Sequence, residues 1–289
     1  MMSTNMSVGS WVLNNTDVVP SDSLSFPFDD CGFLYGYGLF ETIRVLDKVP
    51  LFLDDHLGRL HQSSIVMDLV FDIDLDQIKR NIQLLIEKND IKDGVLNLYL
   101  TGGTRPGSLY ELGLELPLFL GVVRERSSVE LAPLELGVRQ ASFQRTPLDH
   151  LKTMAWVKNI LEKRLAPEFN DVLLYDVNDV VLETTTANVF FVKGDHVITP
   201  ALSDVLPGIT RHFLVTRLDE CGFFVEEREI LLPELTEFDE IFLTNSIYGI
   251  ISVGSVDGYG ALCSGERFRS IKKYYDSSVL SLSRVGLFA

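Results

Sequence analysis

Residues 172–200 read VLLYDVNDVVLETTTANVFFVKGDHVITP, and this stretch decides the fold class. Apolar and β-branched runs alternate in it with polar turns at 177–179 and 194–195, which predicts three or four strands. Such short turns join antiparallel strands, because a parallel pair needs a long crossover connection. The stretch therefore favours an α/β fold of the α+β kind, with antiparallel or mixed sheets and packed helices, over a doubly wound parallel sheet.

A second β-rich region lies upstream. The runs FETIRVL at 40–46 and VPLFL at 49–53 flank the turn-prone Asp47 and Lys48, which predicts a hairpin. From Asp54 onward apolar residues recur at helical spacing, and two amphipathic helices are expected to follow the hairpin.

The domain organisation is predicted from length and from one polar stretch. A chain of 289 residues is about twice the usual size of a single domain. Residues 125–130, ERSSVE, combine charge and serine without a period and are the best candidate for a linker. We therefore expect a small N-terminal α/β domain at 1–124 and a larger C-terminal domain at 131–289.

Charge and composition exclude several classes of protein. Forty-one acidic against twenty-five basic residues give a net charge of −16, which repels nucleic acid, so a small anionic ligand would need a local cluster of positive groups. No apolar run approaches the roughly 20 residues that cross a bilayer, and the start of the sequence does not read as a signal peptide. No membrane association and a cytoplasmic location are expected.

Metal chemistry is not expected either. Cys31, Cys221 and Cys263 are far apart and lack the spacing of metal ligands. His56 and His61 do not form a metalloprotease motif, and core or surface histidines are the simpler interpretation.

Two side chains suggest chemistry on an amine. Lys152 comes just before an amphipathic helix, where a long amine could reach a ligand, although a solvated lysine at a helix start is the simpler alternative. Glu183 follows an apolar strand and precedes three threonines and Asn188. A glutamate beside a pyridine nitrogen keeps that nitrogen protonated and makes the ring an electron sink. The alternative is a polar turn between strands.

Three further features suggest a phosphate. Pro207 and Gly208 lead into a helix whose first N–H groups could bind an anion, with the hydroxyl of Thr210 beside them, although an ordinary capped helix is the alternative. The sequence 244–246, Thr-Asn-Ser, ends a strand and could form a second phosphate cup. Arg59 could bind phosphate, or could form an i,i+4 surface pair with Asp55.

Six segments carry a family resemblance. In order they are DCGFLYGYGLFETIRV, DDHLGRL, LKT before a helix, LETTTANVFFV, VLPGITR and EIFLTNS. Their order and spacing resemble the class IV, or fold-type-IV, pyridoxal-phosphate-dependent aminotransferases. That family includes branched-chain and D-amino-acid aminotransferases and aminodeoxychorismate lyases. The resemblance implies a two-domain fold with a barrel-like mixed sheet in the larger domain, and a homodimer.

The resemblance also implies roles for individual residues. Lys152 would be catalytic and carry pyridoxal 5'-phosphate as a Schiff base, Glu183 would pair with the pyridine nitrogen, and Arg59 would hold the phosphate. The rest of the implied phosphate site is Gly208, Ile209, Thr210, Asn245 and Ser246. The side chains implied to lie near the cofactor ring are Leu206, Thr186 and Asn188.

The substrate side departs from the family pattern. Tyr37 stands between two glycines where many relatives have aspartate, and Gly102 stands where some relatives have arginine. Phe40 and Trp156 occupy positions at which relatives place aromatic or similar groups. Arg105 could bind a substrate carboxylate or could be a solvated loop residue. Tyr37, Phe40, Arg105 and Trp156 are therefore the candidate substrate-binding residues.

The function that the resemblance implies is amino-group transfer between an amino acid, of branched-chain or D-amino-acid type, and a 2-oxo acid. Loss of the arginine pattern at Gly102 favours this reaction over its main alternative. That alternative is a 4-amino-4-deoxychorismate lyase that releases pyruvate and p-aminobenzoate. A protein that binds the cofactor without turnover is the third possibility.

Overall fold

The computed structural model describes residues 9–69, 74–104, 117–126, 131–203, 205–261 and 265–285. The chain divides into two compact units. The first holds the described residues up to Arg126, together with Leu151–Ala155 and the last helix from Ser281. The second holds the described residues from 131 to His150 and Trp156–Leu280. The domain limits 1–124 and 131–289 stay a prediction; the short segment around Lys152 belongs with the first unit.

The first unit contains an antiparallel sheet with strand order β2-β1-β6-β5-β3-β4. Its strands are β1 (Trp11–Asn14), β2 (Asp17–Pro20), β3 (Gly38–Leu46), β4 (Val49–Pro50), β5 (Gly94–Thr101) and β6 (Phe119–Glu125). Its helices are α1 (Cys31–Tyr35), α2 (Leu53–Val66) and α3 (Leu75–Lys88).

The hairpin and the helices after it are confirmed. Asp47 and Lys48 both have positive φ, at 51° and 67°, which is the backbone of the tight turn that matches strand twist. Alternate residues of β3 are buried, so one face of the strand belongs to a core. The core of this unit contains apolar residues of β3, α2 and α3, among them Ile43, Leu57 and Ile82.

The second unit contains a mixed sheet with strand order β12-β11-β10-β13-β14-β7-β8-β9, and β15 pairs with β14. Its strands are β7 (Leu134–Gln140), β8 (Asp171–Tyr175), β9 (Val181–Thr184), β10 (Asn188–Lys193), β11 (His196–Thr199), β12 (Phe224–Glu227), β13 (Glu240–Asn245), β14 (Gly249–Val256) and β15 (Gly260–Ala261). Its helices are α4 (Val157–Arg164), α5 (Ile209–Arg217) and α6 (Glu266–Val285), the last counted here as far as Leu280.

The predicted mixture of strand directions is confirmed. The pairs β7–β8, β7–β14 and β11–β12 are parallel, whereas β8–β9, β10–β11, β10–β13 and β13–β14 are antiparallel. The turns predicted within 172–200 form where Asp179 and Gly194 take positive φ. Residues 185–187 join the end of β9, which carries Glu183, to the start of β10, which carries Asn188.

Candidate functional site

Lys152 is held in place by its main chain. Its carbonyl accepts a hydrogen bond of 2.9 Å from the amide of Phe40, and the amide of Met154 donates to Gly38 over 2.8 Å. Leu39 and Thr153 form an antiparallel bridge between these two bonds. The segment is thus aligned along the start of β3, and it fixes where the Lys152 side chain begins.

The Lys152 amine lies over an aromatic ring. Its Nζ is 4.5 Å from the centre of the Phe40 ring, and Phe40 in turn stacks on Tyr99 at a centroid distance of 6.4 Å. A cation at this distance is attracted by the ring face. Both Lys152 and Phe40 are half-buried.

Arg59 binds a buried carboxylate of β3 rather than a neighbour on its own helix. Its Nε donates to Glu41 Oε1 over 2.8 Å, and one terminal nitrogen donates to Glu41 Oε2 over 2.6 Å. Such a two-pronged pair is strong and directional. Asp55 is exposed, and the i,i+4 pair that the sequence suggested is wrong, because α2 turns Arg59 toward the sheet.

His56 completes this buried group. Its Nδ1 lies 2.7 Å from Glu41 Oε2, and both residues are about 1% exposed. Burial by itself would raise the pKa of Glu41, but the charge and hydrogen bonds of Arg59 and His56 outweigh it and lower the pKa to about 2. Burial lowers the pKa of His56, although Glu41 opposes that shift. At neutral pH the group contains an ionised Glu41, a charged Arg59 and a neutral His56.

Glu183 is the centre of a polar group in the second unit. Arg145 donates to its Oε1 over 3.1 Å, and Oε2 accepts from Asn188 over 3.0 Å and from the amide of Leu206 over 3.2 Å. The carboxylate is buried, and Arg145 is half-buried. An arginine and two neutral donors stabilise the ionised carboxylate and fix its orientation.

Asn188 ties this carboxylate to the start of α5. Its Nδ2 also donates to the carbonyl of Leu206 over 2.9 Å. Its Oδ1 lies so near Gly208 that a Cβ there would be 2.0 Å away, a distance that real Cβ atoms do not reach. Gly208 has an ordinary φ of −67°, so the close approach, and not the backbone angle, requires glycine.

The start of α5 can receive an anion. Gly208 precedes the helix without a side-chain cap, and Ile209 and Thr210 are buried in its first turn. Thr244 lies opposite Asn188 in the β10–β13 register, so their side chains share a face. Among the described residues no partner reaches the hydroxyl of Thr244, which is 1% exposed. A buried donor without a partner, beside a helix start, fits a phosphate group.

The other predicted cofactor residues have local roles as well. The hydroxyl of Thr186 donates to Asp171 over 2.8 Å. The side-chain oxygen of Asn245 accepts from the amides of Ile247 and Tyr248, which fixes the turn after β13. Ser246 is half-buried in that turn.

The residues predicted to bind substrate lie in different parts of the chain. Tyr37 donates its phenol to the carbonyl of Met67, and Phe40 lies under Lys152. Trp156 is half-buried and precedes α4, in the second unit. Arg105 lies outside the described residues.

Glu41 and Arg145 belong to these polar groups, but neither was predicted as a site residue from the sequence. Glu41 follows Phe40 on β3, and the alternation of buried positions along that strand was a usable signal. Arg145 lies in the polar stretch QRTP, which carries no local sign of its contact with Glu183.

Among the described residues, no group of three or more His, Cys, Asp or Glu side chains could hold a metal ion. No helix in the same residues is long and apolar enough to cross a membrane.

Comparison with known proteins gives the family. The sequence profile of the family Amino-transferase class IV matches residues 38–256. The aminodeoxychorismate lyase of Bacillus subtilis is 27% identical over 281 residues, covering 93% of this chain and 94% of the relative. The D-alanine aminotransferase of Bacillus licheniformis is 26% identical over 277 residues, covering 93% and 97%.

A solved structure agrees on the fold. The branched-chain amino acid aminotransferase of Escherichia coli superposes with a TM-score of 0.86 at 20% identity, covering 94% of this chain and 95% of that one. The fold expected from the resemblance, with its mixed α/β architecture, is thereby confirmed. With the profile match over most of its length, the chain belongs to the class IV aminotransferase family.

Proposed function

We propose that the protein is an aminotransferase that moves an amino group between an amino acid, of branched-chain or D-amino-acid type, and a 2-oxo acid. Lys152 is the proposed catalytic residue. The observation that carries the proposal is the position of its amine, 4.5 Å above the Phe40 ring and fixed by backbone pairing to β3. Family membership supports an enzyme of this class.

Pyridoxal phosphate is the cofactor of class IV members. When bound, it supplies an electron sink for the bond at the substrate Cα. Arg59 is proposed to bind its phosphate together with the start of α5 and the turn after β13. The residues proposed there are Gly208, Ile209, Thr210, Asn245 and Ser246. The partnerless hydroxyl of Thr244 supports a phosphate at this place.

Glu183 is proposed to accept a hydrogen bond from the pyridine nitrogen. Arg145, Asn188 and the Leu206 amide hold its carboxylate, so its charge needs no rearrangement when the nitrogen arrives. Leu206, Thr186 and Asn188 are proposed to lie beside the ring.

Lys152 has two proposed tasks at one atom. Its Nζ holds the cofactor before the substrate arrives. Once the incoming amine has displaced it, the same Nζ would take the proton from the substrate Cα and would later deliver it to the aldehyde carbon of the cofactor, as amino-group transfer requires. Phe40, Tyr37 and Trp156 are proposed to contact the substrate, and Arg105 is proposed to bind its carboxylate.

The test begins with the purified protein. We expect visible absorption from bound pyridoxal phosphate, and after borohydride reduction we expect mass spectrometry to locate the cofactor on Lys152. Lys152→Ala should abolish turnover on a panel of branched-chain and D-amino acids with 2-oxoglutarate. Lys158→Ala is the matched control, because Lys158 pairs with Asp149 nearby and should keep activity. Normal turnover by Lys152→Ala would refute the assignment.

The lyase is the second candidate, because a relative that covers nearly the whole chain is named aminodeoxychorismate lyase. The same lysine would take the same proton, and elimination would follow. Incubation with aminodeoxychorismate distinguishes the two candidates. Release of pyruvate and p-aminobenzoate, without transfer from any amino acid, would favour the lyase.

A homodimer in the cytoplasm is also proposed. Phe26, Phe28 and Phe33 form an exposed aromatic patch, in which Phe33 contacts Phe26 and Phe28 at centroid distances of 6.1 and 5.9 Å. Exposed apolar patches of this kind often mark interfaces, which supports contact with a second copy. Light scattering should give twice the mass of the chain, and Phe28→Asp with Phe33→Asp should reduce it. A wild-type monomer would contradict the proposal.

A further inference from the structure

Residues 184–187, which we call the threonine turn, lie between Glu183 and Asn188. The amide of Thr184 donates to the carbonyl of Ala187 over 2.9 Å, and the Thr184 hydroxyl accepts from the Ala187 amide over 3.1 Å. These bonds close the turn, and the Asn188 side chain donates to the Glu183 carboxylate across it over 3.0 Å. A change in the threonine turn would therefore move these two side chains relative to each other.

Asp171, at the start of β8, holds the middle of the threonine turn. Its Oδ1 accepts from the amide of Thr185 over 3.3 Å and from the hydroxyl of Thr185, and its Oδ2 accepts from the hydroxyl of Thr186 over 2.8 Å. A further bond, from the amide of Val172 over 2.8 Å, lies within β8. The Asp171 carboxylate is buried, and a buried carboxylate is costly unless donors surround it. The threonines supply those donors from outside β8, so carboxylate and turn hold each other in place.

A side chain of α4 binds the same turn from another element. The amide nitrogen of Asn159 donates to the carbonyl of Thr185 over 2.8 Å. Thr185 is thus bound through its amide, its hydroxyl and its carbonyl. Because β8 and α4 both hold this residue, the threonine turn has little freedom to pivot about the ends of β9 and β10.

The other end of the same strand pair offers a comparison. β8 and β9 are antiparallel, and Asp176 follows β8 at the end opposite to Asp171. Its Oδ1 accepts from the amides of Asn178 and Val180, each over 2.8 Å. Both aspartates therefore hold a turn of β9 by hydrogen bonds, but it is the turn held by Asp171 that follows Glu183.

We infer that Asp171 is a positioning residue for Glu183: through the threonine turn it keeps the Glu183 carboxylate where the pyridine nitrogen of the cofactor arrives. This inference rests on the proposed function, since Glu183 is the proposed partner of that nitrogen. Asp171 acts through Thr185 and Thr186, whose hydroxyls occupy both of its oxygens. Its loss would leave the charge of Glu183 in place and change only how firmly that charge is held.

The inference is tested by a double-mutant cycle on cofactor affinity, measured by fluorescence titration of the apoprotein with pyridoxal phosphate. Asp171→Ala should raise the Kd by about tenfold, because the Glu183 carboxylate then lacks a fixed position. In the Glu183→Gln background the same substitution should change the Kd by less than about twofold, because the charge that it positions is gone. Asp176→Ala is the matched control and should lower the Tm without changing the Kd.

A second variant gives an answer even if Asp171→Ala does not fold. Thr185→Val removes a hydroxyl bound to Asp171 but keeps a side chain of similar size, and it should raise the Kd by about threefold with the same dependence on Glu183. Thr236→Val is its control, because the Thr236 hydroxyl is exposed and bonds to the carbonyl of Pro233.

Two results would overturn the inference alone: an unchanged Kd in Asp171→Ala and Thr185→Val, or an equal rise of the Kd in the wild-type and Glu183→Gln backgrounds. In the second case Asp171 would affect cofactor binding independently of Glu183. Absence of pyridoxal phosphate binding by the wild-type protein would refute the proposed function, and the inference with it.

Discussion

Two buried glutamates, one in each unit, are each bound by an arginine, yet they are held in different ways. Glu41 is about 1% exposed and is bound by Arg59 and His56, which are side chains of one helix, α2. Glu183 is bound by Arg145 from an irregular segment, by Asn188 of β10 and by the main chain of Leu206. The first glutamate is bound by side chains of a single helix, whereas the second is bound by an irregular segment, a strand and the main chain just before α5.

Because they are held differently, we expect Glu41 to contribute mainly to the stability of the fold and Glu183 mainly to the reaction. Glu41 neutralises a buried arginine and holds its guanidinium in one orientation, so its loss should act mainly on folding. Glu183 is held so that a carboxylate charge stays in a defined place, so its loss should act mainly on chemistry. Matched substitutions of the two glutamates test whether their roles differ in this way.

The largest effect is expected from Glu41→Gln. The pKa of Glu41 falls from 4.5 to about 2 on folding, which corresponds to about 3 kcal/mol of stability at neutral pH, and the substitution also leaves a buried arginine poorly paired. Urea unfolding at pH 7 measures the loss. Glu237→Gln is the control, because Glu237 forms an exposed pair with Lys193 and should cost less than about 0.5 kcal/mol. Equal losses in the two variants would contradict the buried pair.

Acidification should lower the free energy of unfolding of the wild-type protein through Glu41 and His56. The folded pKa of Glu41 is depressed, so its contribution is complete above pH 4.5 and is lost as the pH falls toward about 2. The pKa of His56 is also lowered, so the unfolded chain takes up its proton first and stability begins to fall below about pH 6.5. Unfolding free energies from pH 7 to 3 should decline by about 2 kcal/mol through Glu41 alone, and the rest of its contribution is lost below pH 3. A similarly steep decline in Glu41→Gln would show that other groups cause it.

Glu183→Gln should affect turnover instead. Removing the fixed negative charge is expected to lower kcat by about 100-fold, the scale found for preorganised electrostatic groups. Steady-state kinetics on the best amine of the panel measures the effect, with the Tm recorded beside it. A large fall in Tm with an unchanged kcat would place Glu183 with Glu41 as a structural residue and would remove the distinction between them.

Arg145 should have a smaller effect through Glu183, as a positioning residue. Arg145→Met is expected to weaken pyridoxal phosphate binding to the apoprotein by about tenfold, because the carboxylate loses its charged partner. Arg145→Lys keeps the charge and should restore part of the affinity. Fluorescence titration with the cofactor measures this without turnover. If the lysine variant binds as weakly as the methionine variant, the charge of Arg145 is not what holds Glu183.

The predictable parts of the molecule are those determined by neighbours in the sequence. The hairpin turn at Asp47 and Lys48 and the helix that begins after Gly208 follow from local turn and capping chemistry, and both are confirmed. The two glutamate–arginine pairs were out of reach, because their members are 18 and 38 residues apart and meet only when the chain packs.

The smallest effect on the free energy of unfolding is expected from Asp55→Ala. This variant tests whether the i,i+4 spacing of Asp55 and Arg59 is enough to form an ion pair. Asp55 lies four residues before Arg59 on α2, the spacing of a helical ion pair, but the guanidinium is bound to Glu41 on β3. Asp55 is exposed in the first turn, so its removal should cost only the helix-dipole contribution, about 0.5 kcal/mol or less. The double variant with Glu41→Gln should be additive, because the two residues share no partner. If Asp55→Ala lowered the free energy of unfolding by about 3 kcal/mol, or if the two substitutions were strongly coupled, Arg59 would have to pair with Asp55. Glu41 would then lack the partner that lowers its pKa.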